Sequence, residues 1–499
     1  MRLTACILAA LCLFISTAAS ARDGVRASLV KLYVTQRPPD LRCPWKKENP
    51  IEGSGSGVII EGNRILTNAH VVLHANRVFL QADESTEKVT GDVAFIAPEL
   101  DLAIVTARDP SFFKGRKPLP LASDIPSIKQ TVNVYGYPEG GDQLSVTEGI
   151  VSRIECATTE FGGMVVRIQV DAALNPGNSG GPAVVDGKIV GLVFSKINKA
   201  DNIGYLIAAE EIRRFLDDVA DGTYDGKPVL CAVELLTTEN ATLRERLGLK
   251  NGMDGIMVRD LHVPMEESPL RRWDVIMAIG DHPIDRQGNV RIRDDLRLNF
   301  NYFVPKLAVN GKVPLTVLRD GRQLHLDVPV TAKVNRLMPC LGNDCPRYFI
   351  HGPMVFTPMT QELANALSGP ESELYLRSYN NPLLSRQCDC QVFPGEELVV
   401  LGDRLLPHEI SKGYDATWYA IVEKINGVKV RNLVHLVELI RDARGKYLTV
   451  ELCGRHDLLV FRREELRDVT EETLADEGIR NRCSDDLKDV WEKKKDNKK

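Results

Sequence analysis

The stretch NPGNSGGP, residues 175–182, places one serine, Ser179, among three glycines. Gly and Pro are the commonest turn formers, and Asn and Ser also favour turns. The stretch therefore predicts a sharp turn between two strands. The same arrangement would present a nucleophilic serine. A serine hydroxyl is a poor nucleophile unless a base and an orienting group lie beside it, so the choice depends on the rest of the domain.

A histidine and an aspartate precede this serine in the same β-rich region. His70 ends an apolar strand in ILTNAHVV, residues 65–72, and Asp101 precedes another strand in ELDLAIV, residues 99–105. A carboxylate among apolar residues is costly to bury unless it accepts hydrogen bonds, for instance from an imidazole N–H. Each residue alone also fits a structural role. Together they follow the order His, Asp, Ser of the triad in chymotrypsin-like barrels.

The glycines of the turn have a role in the catalytic interpretation. Acyl transfer passes through an oxyanion, which backbone N–H groups stabilise. We expect this oxyanion hole to comprise Gly177, Asn178 and Ser179. The amides of Gly177 and Ser179 would donate hydrogen bonds, while Asn178 holds the loop between them.

The strand after the turn predicts the primary specificity pocket. We expect Leu192, Val193 and Phe194 to line it and to favour medium-sized apolar side chains. Cys156 is the alternative nucleophile. It is predicted to lie in a loop, and no histidine is near it in sequence, so we favour Ser179.

The composition of the chain is that of an ordinary soluble protein. It has 499 residues, 43% hydrophobic and 26% charged, which accommodates about three or four domains. A net charge of -5 argues against nucleic acid or an anionic membrane as the main partner. Short apolar runs from about residue 25 to 230 predict a mainly β barrel or sandwich. Helical spacing in residues 208–219 predicts a closing amphipathic helix.

The N-terminus has the layout of a secretory signal peptide over residues 1–21. Arg2 precedes an apolar run over residues 5–15, and residues 19–21, ASA, fit a cleavage site. The alternative is an uncleaved anchor, although the apolar run is short for a membrane span. No stable membrane span is expected once the signal is removed.

Export would place the cysteines in an oxidising compartment. Two short-range disulfide candidates follow, Cys340 with Cys345 and Cys388 with Cys390, and longer-range pairing stays open. The cysteine spacing does not resemble a zinc site. We expect neither a metal nor a cofactor.

Two stretches beyond residue 224 resemble each other. Residues 273–284 and 418–430 each place an apolar strand before a tight turn and a second short strand. The pair Asn426-Gly427 is a strong hairpin signal. We expect two related small modules, the second irregular and interrupted by residues 341–413.

Four motifs together resemble the HtrA/Deg family of serine proteases: GSGV (55–58), LTNAHVV (66–72), DLAIV (101–105) and GNSGG (177–181). Residues 136–155, 348–357 and 397–400 resemble the plant-type Deg branch with two PDZ-like domains. The resemblance implies a mainly β fold, in which a chymotrypsin-like double β-barrel protease domain precedes two PDZ-like α+β domains. It implies that His70 is the general base, Asp101 its orienter and Ser179 the nucleophile.

The expected domains are a signal peptide (1–21), a trypsin-like protease domain (25–222), a first PDZ-like domain (224–334), a second, irregular PDZ-like domain (335–470) and a C-terminal extension (471–499). In PDZ domains, backbone amides of a loop hold a peptide carboxylate. The resemblance places this loop at Leu230, Cys231, Ala232 and Val233, with Cys231 where glycine is common. The second domain lacks a clear equivalent, which favours a role in assembly.

The resemblance implies an ATP-independent serine endopeptidase that degrades unfolded or damaged proteins and forms a trimer-based homo-oligomer. No nucleotide-binding loop occurs in the sequence. The export signal departs from the nuclear or organellar members and predicts the bacterial periplasm or cell envelope. The alternative function is a PDZ scaffold or holdase chaperone with little proteolysis.

Overall fold

The computed structural model describes residues 24–138, 141, 143–159, 163–196, 204–230, 233–261, 268–332, 334–378, 380–414, 417–454 and 458–493. The predicted signal peptide, residues 1–21, lies outside the described residues. The chain divides into two compact units: Met1–Arg37 with Pro50–Lys333, and Pro38–Asn49 with Val334–Lys499.

The first unit begins with a closed antiparallel barrel, ordered β1-β2-β3-β6-β5-β4 among the described residues. Its strands are β1 (Leu29–Gln36), β2 (Ile51–Ile60), β3 (Arg64–Thr67), β4 (Ala75–Ala82), β5 (Val89–Ala97) and β6 (Leu102–Ala107). Successive strand residues face opposite sides, so Val30, Leu32 and Val34 fill the interior. Leu29 faces outward and packs against Leu192 of the next barrel. This shared core holds the two barrels together.

The second barrel is also closed among the described residues, in the order β10-β11-β12-β9-β8-β7. Its strands are β7 (Thr131–Gly136), β8 (Ser145–Thr158), β9 (Met164–Val170), β10 (Pro182–Val185), β11 (Lys188–Lys196) and β12 (Gly204–Ala208). A short helix, α1 (Ala69–Val72), follows β3, and helix α2 (Ala209–Asp218) follows β12. Ile212 and Phe215 of α2 are buried in the shared core, which confirms the predicted amphipathic helix.

A seven-stranded sheet completes the described part of the first unit, ordered β13-β21-β20-β16-β15-β14 with β17 paired to β16. Its strands are β13 (Val229–Leu230), β14 (Val233–Thr237), β15 (Ile256–Leu261), β16 (Val275–Ile279), β17 (His282–Pro283), β20 (Lys312–Arg319) and β21 (Arg322–Thr331). The remaining elements are the hairpin β18 (Asn289–Arg293) and β19 (Leu296–Asn299), with helices α3 (Ala241–Arg246) and α4 (Val304–Leu307). Leu296 and Leu298 of the hairpin pack into the core of the second barrel.

The second unit contains two small sheets in its described residues, β22-β23-β24 and β26-β25-β27-β28. The strands are β22 (Phe349–His351), β23 (Met354–Pro358), β24 (Val399–Leu401), β25 (Val422–Ile425), β26 (Val428–Lys429), β27 (Tyr447–Leu452) and β28 (Leu458–Arg462). The helices are α5 (Gln361–Ala366), α6 (Pro370–Ser378), α7 (Leu433–Arg441), α8 (Glu465–Asp476) and α9 (Lys488–Glu492). One apolar core joins both sheets with α7 and α8.

The predicted mainly β fold is confirmed, and so is the hairpin at Asn426-Gly427, where Ile425 pairs with Val428. Two expectations were wrong. Cys156 lies in strand β8 and not in a loop. Residues 341–413 contain β22, β23 and β24, whose side chains are almost entirely buried, so this stretch forms part of the core of the module.

Candidate active site

His70 lies where β3 turns into α1. Val71 and Val72 of this helix are buried, whereas the His70 side chain is 42% exposed. The apolar neighbours therefore anchor the helix in the barrel and leave the imidazole at the surface. Its Nδ1 lies 2.8 Å from Oδ2 and 2.9 Å from Oδ1 of Asp101. The opposite ring nitrogen, Nε2, faces away from this carboxylate.

Asp101 occupies a tight turn between the short 3-10 helix Pro98–Leu100 and β6. Its backbone is left-handed, with φ of 54°, a conformation that an L-residue with a Cβ seldom adopts. Three hydrogen bonds hold it there. The Asp101 N–H donates to the Pro98 carbonyl at 3.0 Å, the Asn68 side chain donates to the Asp101 carbonyl at 2.9 Å, and the His70 N–H donates to the Asp101 carboxylate at 2.9 Å.

Asn68 is a positioning residue that the sequence reasoning did not single out. Its side chain is fully buried and ties the end of β3 to the backbone of Asp101. Asn68 belongs to the motif LTNAHVV, so the sequence analysis included the residue but did not assign it a role. Its contact joins positions 33 apart in the chain, which no local pattern reveals.

The predicted turn at residues 175–182 is present, and backbone hydrogen bonds fix its shape. The Asn178 N–H donates to the Asn175 carbonyl at 3.1 Å, and the Gly181 N–H donates to the Asn178 carbonyl at 2.9 Å. Gly177 and Gly180 have φ of 93° and 84°, where glycine alone is free of strain. A Cβ on Gly180 would lie 2.1 Å from the Ser56 carbonyl oxygen. The glycine at 180 is therefore required by a close approach of two backbones.

The turn is pinned to both barrels. The Gly180 N–H donates to the Val193 carbonyl of β11 at 2.9 Å, and the Ser56 N–H of β2 donates to the Ser179 carbonyl at 2.8 Å. The same strand β2 borders the His70 helix, because a Cβ on Gly55 would lie 2.6 Å from Val71 Cγ1. Strand β2 thus brings the turn of Ser179 and the helix of His70 together.

Two backbone N–H groups of the turn can donate hydrogen bonds to a ligand. Among the described residues, none accepts a hydrogen bond from the backbone N–H of Gly177 or of Ser179. The Ser179 side chain is only partly buried. The arrangement can therefore present a hydroxyl and two backbone donors to the same ligand.

The three residues predicted to line a specificity pocket differ in exposure. Leu192 exposes no surface and Val193 only 2%, since they pack into two separate apolar cores. Phe194 is partly exposed, with its ring centroid 6.3 Å from that of Tyr205. Leu192 and Val193 therefore contribute to the barrel cores, and Phe194 has the most exposed surface of the three.

Cys156 is not an activated nucleophile. Burial raises the pKa of its thiol to about 11, so the reactive thiolate is scarce at neutral pH. The predicted short-range disulfides are not formed, because Cys345, Cys388 and Cys390 carry free thiols. All three belong to loops or strand edges at the surface, where sequence proximity alone does not create disulfide geometry.

The predicted carboxylate-binding loop is described only at its two ends. Leu230 closes β13 and Val233 opens β14, while Cys231 and Ala232 lie outside the described residues. In the described sheet, β14 is an edge strand.

No cluster of three His, Cys, Asp or Glu side chains suited to a metal occurs among the described residues. No described helix is long and apolar enough to cross a membrane.

Two family descriptions match separate parts of the chain. The trypsin-like peptidase domain matches residues 55–192, which include the His70, Asp101 and Ser179 segments. The PDZ domain matches residues 339–486, within the second unit.

Curated relatives cover most of the chain. Protease Do-like 4, mitochondrial, of Arabidopsis thaliana is 36% identical over 445 residues, spanning 87% of this chain and 80% of that protein. Protease Do-like 2, chloroplastic, of the same plant is 32% identical over 466 residues, spanning 92% of this chain and 75% of that protein.

The fold also has a counterpart among solved structures. The structure described as HtrA-type protease AlgW with tripeptide has a TM-score of 0.50 and 24% identity, and the match covers 63% of this chain and 97% of that one. At this identity the likeness concerns the fold alone. The curated relatives, at higher identity and over most of their length, are decisive: this chain belongs to the HtrA/Deg family of Do-like serine proteases.

Proposed function

We propose that this serine protease is an ATP-independent endopeptidase that degrades unfolded or damaged proteins in an envelope compartment through an acyl-enzyme. The observation that carries the proposal is the contact between His70 and Asp101, at 2.8 Å, beside the strand that also holds the Ser179 turn. A base oriented by a carboxylate next to a presented serine is the arrangement that acyl transfer requires.

In the proposed mechanism, His70 Nε2 takes the proton of the Ser179 hydroxyl as its oxygen attacks the scissile carbonyl carbon. Asp101 accepts the Nδ1–H, which fixes the tautomer and stabilises the imidazolium. The carbonyl oxygen becomes an oxyanion facing the N–H groups of Gly177 and Ser179. His70 then donates its proton to the leaving amine. In the second half of the reaction, His70 takes a proton from water as the water attacks the acyl carbonyl carbon, and it returns that proton to the Ser179 oxygen as the acyl group is released.

Asn178 would hold the oxyanion loop through its backbone, since its N–H and carbonyl both bond within the turn. For the specificity pocket, we retain Phe194 as the side chain facing substrate. Leu192 and Val193 would contribute by fixing β11, whose Val193 backbone pairs with Gly180 and Gly181. A medium-sized apolar side chain of the substrate would suit this wall.

The substrate class follows from the absence of unfolding machinery and from the exposed edge of the PDZ-like sheet. The sequence has no nucleotide-binding loop, so the substrate must already be extended. Strand β14 is an edge to which a peptide could add a strand, with the loop from Leu230 through Cys231 and Ala232 to Val233 holding its carboxylate. The second PDZ-like domain would serve assembly of a trimer-based homo-oligomer.

We propose domain bounds of 25–222 for the protease, 224–334 and 335–470 for the PDZ-like domains and 471–499 for the extension. Residues 1–21 would act as a signal peptide that directs the protein to the bacterial periplasm or an equivalent envelope compartment. Two relatives are named mitochondrial and chloroplastic. The leader here has one arginine and a central apolar run, whereas transit peptides are rich in arginine and serine. Cleavage after Ala21 and recovery from the envelope would support export, and recovery from an organelle would contradict it.

The central test compares degradation of casein, an unfolded substrate, by the wild type and by Ser179→Ala, without and with ATP. We expect degradation by the wild type alone and no effect of ATP. The matched control is Ser123→Ala, at an exposed serine outside the site, which should degrade casein like the wild type. Equal degradation by Ser179→Ala would refute the triad. No degradation by any protein, with aggregation still suppressed, would favour the holdase function.

A further inference from the structure

Ser56 lies at the centre of the contacts that shape the Ser179 turn. It belongs to β2, and its side chain is fully buried. The hydroxyl donates to the Gly177 carbonyl at 2.7 Å and accepts from the Tyr137 N–H at 2.8 Å. The hydroxyl thus links the nucleophile turn to β2 and to the end of β7.

The backbone of Ser56 contacts the same turn. Its N–H donates to the Ser179 carbonyl at 2.8 Å, and its carbonyl accepts from the Thr67 hydroxyl at 2.8 Å. One residue therefore holds the carbonyls of both Gly177 and Ser179. These are the two residues whose N–H groups donate to no described residue.

The orientation of a peptide plane is fixed when both its carbonyl and its N–H are bonded, because the peptide unit is rigid. Two bonds within the turn and two to β11 fix most of the planes around Ser179. The plane that carries the Gly177 N–H is different. It joins Pro176 to Gly177, whose missing Cβ permits rotation. The Gly177 carbonyl belongs to the next plane, which is held by the Ser56 hydroxyl and by the bond from the Asn178 N–H to the Asn175 carbonyl. The Ser56 hydroxyl therefore restrains the Gly177 N–H from the C-terminal side, by fixing the plane that follows Gly177.

We infer that Ser56 is a positioning residue for the oxyanion hole, and this inference rests on the proposed acyl-enzyme mechanism. Its hydroxyl holds Gly177 so that the Gly177 N–H faces the developing oxyanion. Ser56 itself touches neither the substrate nor the reacting atoms. Loss of the hydroxyl leaves the plane after Gly177 held only through the Asn178 N–H. Gly177 and its own N–H can then shift, and the oxyanion loses one of its two donors for part of the time.

The chain offers a matched control in Ser28. Its side chain is also buried in the first barrel, and its hydroxyl donates to a backbone carbonyl, that of Lys117, at 2.6 Å. Ser28→Ala therefore removes a comparable buried hydrogen bond without touching the Ser179 turn. Any general loss of stability should affect both alanine variants alike.

The experiment measures kcat and KM of the full chain on a fluorogenic peptide with a medium-sized apolar residue before the scissile bond. It also measures inhibition by a peptide aldehyde, which forms a hemiacetal oxygen at the oxyanion position, and by the same peptide with an amide end, which forms no adduct. For Ser56→Ala we expect about a 10- to 100-fold lower kcat and a similar weakening of the aldehyde, because one oxyanion donor is compromised. KM, inhibition by the amide, and both kinetic constants of Ser28→Ala should remain near the wild-type values.

The outcomes separate this inference from the function on which it rests. If Ser179→Ala is inert and Ser56→Ala behaves like Ser28→Ala, the positioning role of Ser56 is wrong while the triad stands. If Ser56→Ala weakens the aldehyde and the amide equally, the residue supports substrate binding and the inference fails. If Ser179→Ala retains full activity, the proposed mechanism fails and the role of Ser56 fails with it.

Discussion

The hydroxyl of Tyr224 donates a hydrogen bond to the Glu99 carboxylate at 2.5 Å, two residues before Asp101. Tyr224 lies in the segment that leads from α2 into the seven-stranded sheet, and its ring packs on Phe215 with centroids 5.6 Å apart. Burial, together with the Glu99 carboxylate, raises the pKa of Tyr224 far above its usual value, so the phenol remains a donor. The segment that follows α2 is thereby tied to the turn that contains Asp101.

Tyr224→Phe should lower the free energy of unfolding by about 1–3 kcal/mol, because a hydrogen bond to a charged group is lost while the ring contact remains. Activity should change by less than about twofold, as for other changes outside the reacting groups, since the Glu99 carbonyl keeps its bond from Thr159 at 2.8 Å. Urea unfolding and peptide hydrolysis measure the two effects. A large loss of kcat with unchanged stability would show that the phenol acts on the Asp101 turn.

Asp101→Asn should lower kcat by about 10⁴-fold with little change in KM, because an amide cannot both accept the Nδ1–H and stabilise the imidazolium. The fold should survive, since the asparagine oxygen can still accept the His70 N–H that now bonds to Asp101. Steady-state kinetics and a circular dichroism melt test this. A hydrolysis rate close to the wild type would remove Asp101 from the triad.

Glu211→Gln should lower the free energy of unfolding by about 3–5 kcal/mol, because it leaves Lys227, whose side chain is only 10% exposed, without its carboxylate partner. The Glu211 side chain is 1% exposed and binds Lys227 at 2.8 Å and Arg214 at 2.6 Å. It also accepts the Val166 N–H at 3.0 Å. The control is Asp217→Asn, at an exposed position on the same helix. Equal chemical unfolding curves for the two variants would contradict a stabilising role for Glu211.

His351→Phe should make the second unit less sensitive to acid. Burial, and to a lesser extent Arg482, lowers the pKa of His351 to about 3. The folded state therefore keeps this ring neutral, while the unfolded state binds a proton as the pH falls below about 6.5. Stability from this group is complete above that pH and declines toward pH 3. From neutral pH to about pH 4 the loss is about 3 kcal/mol in the wild type.

The variant keeps an aromatic ring beside Phe349 and Trp491, which His351 now contacts. We expect its unfolding free energy to fall less than that of the wild type over the same pH interval. Urea titrations at several pH values measure the difference. Parallel pH profiles for both proteins would show that His351 is protonated without cost in the folded state.

The sequence was sufficient to predict the structural features that depend on residues close together in the chain. The glycines of the Ser179 turn, the Asn426-Gly427 hairpin and the apolar stripe of α2 each appear in consecutive residues. Strand β8 was missed because most of its side chains are at least partly exposed, with Val146 49% and Ile150 38% exposed. A strand with exposed side chains on both faces has no continuous row of buried residues, so hydrophobic alternation in the sequence does not identify it.

The contacts that organise the site were beyond sequence reasoning because they are distant in the chain. Ser56 reaches Gly177 across 121 positions, although both residues lie in motifs that the sequence made conspicuous. The complete burial of Leu192 could not be inferred from the sequence for a related reason. Strand alternation gives two faces but does not say which one meets the neighbouring barrel.

Residues 38–49 follow β1 and precede β2, yet they belong to the second unit. There Leu41 packs in an apolar core and the Trp45 ring lies 6.1 Å from that of Tyr348. A fragment cut after residue 332 would therefore carry Leu41 and Trp45 without the residues they pack against, and exposure of these side chains favours aggregation. Gln36 and Ile51 face each other across the β1–β2 pair, so a two-residue Asn-Gly turn can join them directly. Replacing the loop with that turn should give a first unit that stays soluble without the second.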